Sequence, residues 1–398
     1  QNTSNLYPFY EILPVKSNSG NWLVNGGKTN TADIPSLVST LLTWERVRSF
    51  NVGFDFGAFS NRLTGSFDYF VRKTVDMVGP APQLPLVLGI APAIVNNADM
   101  KSYGFEIELS WRDRIGEVDY GVKFNLADAQ QKVVKYPNTT NAFSDWYAGK
   151  MSGEIWGYTS LGIAKTDEEM KEHLASLPNG GQNQLGNKWG AGDIMYADIN
   201  GDGKVDGGKG TLADPGDQRI IGNSTPRYNF GLVLDASYKG FDVSIFFQGV
   251  GKRDYAPIVG TNGAVFWGAV NNIWQSMAME EHFDYFRPEG HPMGANLNGY
   301  YPRPDFTSNK NHQVQTRYLQ DASYIRLKNL QIGYTLPKQW INKLHINRCR
   351  VYVSGDNLWT GTSLASMFDP ETLAAGDWGS GKTYPLSKVI SFGLNVNF

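Results

Sequence analysis

Cysteine occurs once, at Cys349, in 398 residues. That excludes an internal disulfide framework and the multi-cysteine zinc patterns. No stretch approaches about eighteen consecutive apolar residues, so a membrane-crossing helix is excluded on length. An excess of one charge is lacking too: 36 Lys and Arg face 38 Asp and Glu, for a formal charge of -2. With no basic field and no polybasic arm there is nothing to draw nucleic acid. Enzyme signatures are also missing. The five histidines, His173, His282, His291, His312 and His345, contain no H-E-x-x-H pair, and no G-x-S-x-G elbow or phosphate-cradling P-loop occurs. The "GGKG" at 207 to 210 lacks the spacing and the helix of a nucleotide loop. No carboxylate pair can be placed across a cleft for glycoside hydrolysis. The sequence predicts a protein that is not an enzyme. It starts at Gln1, without initiator Met or signal peptide, which reads as a processed or cut start.

Aromatic residues make up 13% and glycine 44 positions, a bias toward strands and turns. Long runs alternate with period two, apolar on one face and charged, amide or glycine on the other. Residues 49 to 58 set Phe50, Val52, Phe54 and Phe56 against Asn51, Gly53, Asp55 and Gly57. Residues 63 to 72 set Leu63, Phe67, Tyr69 and Val71 against Thr64, Ser66, Asp68 and Arg72. The scheme returns at 103 to 111, 118 to 126, 228 to 238 and 241 to 247, then near 324 to 335, 348 to 356 and 389 to 398. In "YIRLKNLQIGY" the apolar phase moves from odd to even positions, predicting a β-bulge near Lys328 or Asn329. Cys349 is in phase with Val351 and Val353, as a small apolar residue on the greasy face.

Alternation alone fits a sandwich as well as a barrel. Connection lengths separate them. Tight turns ("AFSN", "RDRIGE", "YKG") alternate with long loops around 79 to 101, 134 to 225, 254 to 321 and 358 to 387, the parity of an outer-membrane barrel with short periplasmic turns and long extracellular loops. The same parity requires zero or two spanning strands between 134 and 225; zero is the simpler choice, leaving "GEIWGYTSLGIAK" as a strand extension or a hairpin within the loop. About nine strands then span the membrane. Nine such strands need further strands to close, so the chain is expected to be part of a barrel. A mean hydropathy of -0.36 is compatible with that.

Five segments, "LTWERVRSFNVGFDFGAFSNRLTGSFDYFVRKTVDM", "DPGDQRIIGNSTPRYNFGLVLDASYKGFDVSIFFQGVGKRD", "SYIRLKNLQIGYTLP", "RVYVSGDNLWT" and "YPLSKVISFGLNVNF", resemble in content and order the C-terminal half of the SusC/RagA family of TonB-dependent outer-membrane transporters. The resemblance covers nearly all of residues 1 to 398. It implies an all-β fold, the C-terminal part of a large antiparallel transmembrane β-barrel with about nine of 22 strands, in the outer membrane of a Gram-negative bacterium of the Bacteroidetes type. It implies import of oligosaccharides or peptides with a SusD-like surface lipoprotein, driven by TonB. The N-terminal domain, TonB box, plug and first barrel strands are expected on another polypeptide or lost by cleavage. Phe398, in phase with Ile390, Phe392, Leu394 and Val396, would serve as the outer-membrane insertion signal of this class, as an interfacial girdle aromatic, or as both. A passive barrel or adhesion scaffold is the alternative reading.

The stretch "DINGDGKVD" has the first part of an EF-hand loop: Asp198, Asn200 and Asp202 at positions 1, 3 and 5, Gly203 at 6, the Lys204 carbonyl at 7 and Asp206 at 9. Lys209 stands where the final acid belongs. The family often places an acid directly before an "IIGN"-like segment, so the resemblance implies Asp217, ahead of Asp214, as the closing ligand after the intervening "GGKGTLADP", giving a calcium site over 198 to 217, with magnesium as another hard cation. An Asx-rich turn needing no ion is the plainer alternative. Aromatics set among amides, Trp146, Trp267, Trp274, Tyr300 and Tyr301, suit substrate or lipoprotein contact, or packing of the loops on themselves.

Overall fold

The computed structural model describes residues 10 to 398 apart from 36, 41, 80, 82–84, 86, 88, 91, 258–264, 269–278, 306–307, 343–344 and 374–382. Nine strands form one sheet: β1 (Arg46–Ala58), β2 (Leu63–Gly79), β3 (Val95–Ile115), β4 (Val118–Lys135), β5 (Arg227–Tyr238), β6 (Phe241–Lys252), β7 (Tyr324–Thr335), β8 (Arg348–Thr362) and β9 (Val389–Asn397). Their order in the sheet is their order in the chain, with β1 and β9 at the edges. Among the described residues no helix is long and apolar enough to cross a membrane, and these strands are the elements that can.

The registers explain why alternation was so clean. Leu232 stands across from Phe124 on one side and Phe247 on the other, while Gly231 is flanked by Asn125 and Gln248. Every second residue therefore joins an apolar outer row, and the next joins a polar inner row. The outer row has no protein to pack against: Phe392 is 85% and Phe50 62% exposed, as a lipid-facing surface requires. The bulge is at Lys328. On the β6 side Lys328 is skipped, since the adjacent Phe246 and Phe247 pair with Asn329 and Leu327; on the β8 side the extra residue belongs to β8, whose Trp359 and Asp356 pair with Leu327 and Asn329 and leave Asn357 and Leu358 opposite Lys328. Cys349 lies in the outer-row register opposite Val396, yet it is buried.

The chain divides into two compact units. One comprises 1–51, 70–103 and 131–151; the other comprises 52–69, 104–130 and 152–398. In the first, Asp76 has a left-handed φ of 58° inside β2. Its carboxylate takes Arg46 at 2.5 Å, its N–H donates to Asp99 at 3.0 Å, and its carbonyl accepts from Asn96 at 2.5 Å. Those bonds hold a conformation that an Asp rarely adopts. Lys150 closes the 143–150 turn by donating to the carbonyls of Phe143, Ser144 and Asp145.

In the second unit the segment between β4 and β5 adds no strand to the wall, in agreement with zero spanning strands. Its short strands pair among themselves: Glu154–Gly157 with Arg219–Asn223, and Ser160–Ile163 with Ile194–Tyr196. The two expected arms of a hairpin thus belong to different ladders. At the neck of this loop the Ser152 carbonyl accepts from Asn223 and Thr225, and Ser224 donates to Gly153. Helix α1 (Asp167–Ala175) starts at Thr166, whose hydroxyl accepts the Glu169 N–H at 3.1 Å, with three acids in its first turn.

Candidate functional site

The loops of the second unit share a hydrophobic core of their own. Tyr158, Ile194, Tyr196 and Val205 come from the first long loop, Tyr255, Phe266, Trp267, Tyr301 and Tyr318 from the next, and Leu364, Phe368 and Leu373 from the last. Rings meet edge to face, Trp267 on Tyr318 at 4.8 Å and on His312 at 4.6 Å, the geometry that ring quadrupoles favour. Burial pushes the phenols of Tyr301 and Tyr318 well above their usual range and that of Tyr255 up to about 12. It pushes the His312 imidazole down to about 4, because charge is costly there.

This core corrects two of the expected contacts. Trp267 and Tyr301 are 1% and 2% exposed, and a ring enclosed on all sides has no face to offer a ligand. Tyr300 is half-buried; its hydroxyl accepts from Gln320 and its carbonyl from Tyr318. Trp146, in the other unit, is exposed and leans on Tyr136 at 5.6 Å. Trp274 lies outside the described residues. Phe398 follows β9 and is exposed.

A buried ion cluster ties two of these loops. Asp193, fully buried, accepts from Lys310 at 2.9 Å, Arg303 at 2.6 Å and Asn311 at 2.9 Å. The Lys310 ammonium is equally buried and also lies over the Trp189 ring. Nothing in the local sequence marks these residues, which are more than a hundred positions apart.

The 198–206 loop folds largely on its own donors. Asp198 accepts the N–H groups of Gly201 and Gly203, Asn200 that of Asp202, and Asp202 that of Lys204. Gly201 and Gly203 both have positive φ, as the tight course requires. The insertion 207–216 turns back on itself and delivers Asp217 beneath the loop, where its carboxylate accepts from Ile199, Asn200 and Asp206. Asp217 is fully buried, and that burial pushes its pKa up. Asp214 stays within the insertion. The Lys204 ammonium is 2.5 Å from Asp206 and 3.8 Å from Asp202, and it holds the Asp206 carboxyl below its usual range. The oxygens suit a hard cation in kind and spacing. Among the described residues no group of three His, Cys, Asp or Glu side chains converges; within the loop the side-chain oxygens accept from its own backbone N–H groups.

A further cluster escaped sequence reasoning. Arg326 is on the inner row of β7, opposite Thr360, and the 364–373 segment folds over it. Its guanidinium donates to Thr360, Asp369 and Glu371 at 2.7 to 2.8 Å, and the bulged Lys328 reaches Glu371 at 2.9 Å. Arg253 donates to the carbonyls of Pro370 and Leu373. The last long loop is thus fixed to the inner wall. A hint existed in the sequence, since Arg326 is a charge on the polar phase of a strand, but its carboxylate partners are some forty residues on in a loop with no period.

Residues 2–358 match the family model for the TonB dependent receptor-like β-barrel. TonB-dependent receptor P3 of Formosa agariphila is 28% identical over 419 residues, covering 98% of this chain and 38% of that protein. TonB-dependent receptor SusC of Bacteroides thetaiotaomicron is 21% identical over 380 residues, covering 92% and 33%. The chain therefore spans little more than a third of the curated relatives it matches. Among solved structures the RagAB peptide transporter superposes with a TM-score of 0.70 at 23% identity, over 98% of this chain and 39% of that one, and shows the same fold. With its period-two wall and this match, the chain belongs to the TonB-dependent receptor family and supplies nine antiparallel strands of an outer-membrane β-barrel.

Proposed function

We propose that the chain is part of a SusC-type importer that carries oligosaccharides or peptides across the outer membrane in a TonB-dependent step, together with a SusD-like surface lipoprotein. The observation that carries this reading is the division of the wall: tight turns at one end, and at the other long loops packed into a body with its own core. A passive pore needs no such body, whereas capture and release of cargo needs a shaped mouth. The plug and the TonB contact would reside in the transporter beyond this stretch. Uptake of labelled oligosaccharides and peptides by cells carrying the whole transporter is expected to stop when TonB is deleted. Uptake that persists would sink the proposal and leave the passive barrel or adhesion scaffold. The lipoprotein is expected to co-purify with the transporter in mild detergent.

For the loop at 198–217 a calcium role, with magnesium as the other hard cation, rests on the spacing of Asp198, Asn200, Asp202, Lys204 and Asp206 and on Asp217 closing it from below. Lys204 would have to swing away. Chelation is then expected to expose 134–225 to protease while the barrel stays intact; a calcium titration without heat or protection rejects the idea. For Phe398 the reading as an insertion signal predicts that its deletion lowers the amount of assembled barrel.

A further inference from the structure

At the tight-turn end of β5 and β6 the outer row has a dent. Along β5 that row runs Leu232, Leu234, Ala236 and Tyr238, and Ala236 is level with Tyr120 on β4, Val243 on β6 and Ile332 on β7. One small side chain among these large ones leaves a groove of about 150 Å³, walled by Val118, Tyr238, Phe241, Val243 and Ile332. Ser237 and Asp242 border it from the alternate register, and the Asp242 carboxylate is taken by Arg350. The groove itself is apolar and faces lipid. Its rim at the turn is charged. Lys239 and Gly240 make that turn with positive φ of 46° and 90°, as a two-residue hairpin loop of the primed kind requires. Asn, Asp or Gly takes the first of these positions with least strain, and a lysine does not. The strained residue places its ammonium over the Tyr238 ring, 5.1 Å from the centroid, and 2.8 Å from the Glu117 carboxylate.

We infer that the groove and its rim form a site for one phospholipid with a zwitterionic headgroup, a phosphatidylethanolamine, in the periplasmic leaflet. The exposed outer row runs without a break into the groove, so the site continues the surface that already meets lipid. Short turns belong at the periplasmic end, which puts Lys239 and Glu117 at headgroup depth. Tyr238 and Phe241 are just beneath them, where interfacial aromatics gather. One acyl chain then lies over Ala236, held between its larger neighbours. The charges choose the headgroup. An exposed ion pair contributes little by itself, so it opens to a zwitterion whose phosphate takes the Lys239 ammonium and whose amine donates to Glu117. Arg114 and Asp119 on the adjoining turn also pair, at 3.6 Å. Two balanced pairs leave this rim without net charge and give an anionic headgroup no advantage. The Tyr238 ring holds the lysine in place, so less freedom is lost when the lipid binds.

This inference needs the wall alone and not the import reading. The test places the complete transporter in phosphatidylcholine vesicles that carry a small fraction of phosphatidylethanolamine with a diazirine on one acyl chain. Photo-crosslinks are mapped by mass spectrometry, and phosphatidylglycerol with the same chain is the comparison. Crosslinks from phosphatidylethanolamine are expected to concentrate on 236–243 and to be weaker there from phosphatidylglycerol. In Ala236→Trp, which fills the dent, and in Lys239→Asn, which suits the turn and removes the charge, they should fall about fivefold or more at 236–243. Labelling elsewhere on the outer row should stay as it was. The heat-dependent gel shift of both variants confirms an assembled barrel, so that a lost crosslink reports the site and not the fold. Labelling spread evenly along the outer row would mean bulk lipid only and overturn the site. A signal indifferent to both variants, or equal or stronger with phosphatidylglycerol, would overturn it too.

Discussion

The wall and the loop body are held by different forces. In the wall, backbone ladders join each strand to its sequence neighbours and the apolar side chains face outward, so side chains mainly tune contact with lipid. In the loop body the ladders are two to five residues long. There side chains do the holding: buried rings, the Asp193 cluster and the Arg326 ties. The wall should therefore tolerate truncations that dissolve the body, and the body should resist changes on the lipid face that harm the wall.

The sharpest way to break this contrast is Asp193→Ala. Stranding the Lys310 ammonium in the interior is expected to cost the body about 3 to 5 kcal/mol, read as new protease cleavage in 134–225 and 254–321, while the barrel keeps its heat-dependent shift on gels. Acid gives a second test. The folded His312 titrates at about 4 against 6.5 in an open chain. Above 6.5 both forms are neutral and nothing is lost; as pH falls from 6.5 to 4 only the open chain takes the proton, so stability declines by about 3 kcal/mol in all. Near-ultraviolet circular dichroism should record that loss, and His312→Gln should flatten it.

Leu232→Arg turns the contrast around. A cation on the outer row is expected to cost the wall about 2 to 4 kcal/mol if it lies at mid-membrane depth, lowering assembled barrel in the outer membrane and leaving protease protection of the loops unchanged in the fraction that assembles. The smallest effect belongs to Trp146→Ala. Its exposed ring touches mainly Tyr136, so less than about 1 kcal/mol is expected, and a larger drop in the melting temperature would mean that the ring carries structure.

The sequence revealed the wall because a strand between lipid and a polar interior must alternate. Even the slip at Lys328 showed as a change of phase. The body had no such period to show. Trp267, His312 and Tyr318 meet through folding of a loop whose turns leave no pattern, and Glu154–Gly157 pairs with Arg219–Asn223 rather than with the adjacent Ser160–Ile163. Asp217 was named because the EF-hand pattern lacks its last acid at Lys209 and the family resemblance places one ahead of the "IIGN" segment. Asp193 and Arg326 were not, since a buried charge is recognisable only through its partners.

The neck at Ser152 and Gly153 bears on how fast the wall can form. Strands β4 and β5 pair across roughly ninety residues of intervening chain, and bringing such distant segments together delays a nucleus far more than it weakens the finished fold, since each doubling of loop length adds only about 0.6 kcal/mol. With the neck already clasped by Asn223 and Thr225, the search shortens to the sixteen residues between Lys135 and Ser152 and the single one between Thr225 and Arg227. The loop would then act as a jig that delivers two remote strands in register, and loosening the clasp should slow barrel assembly more than it lowers the stability of the assembled wall.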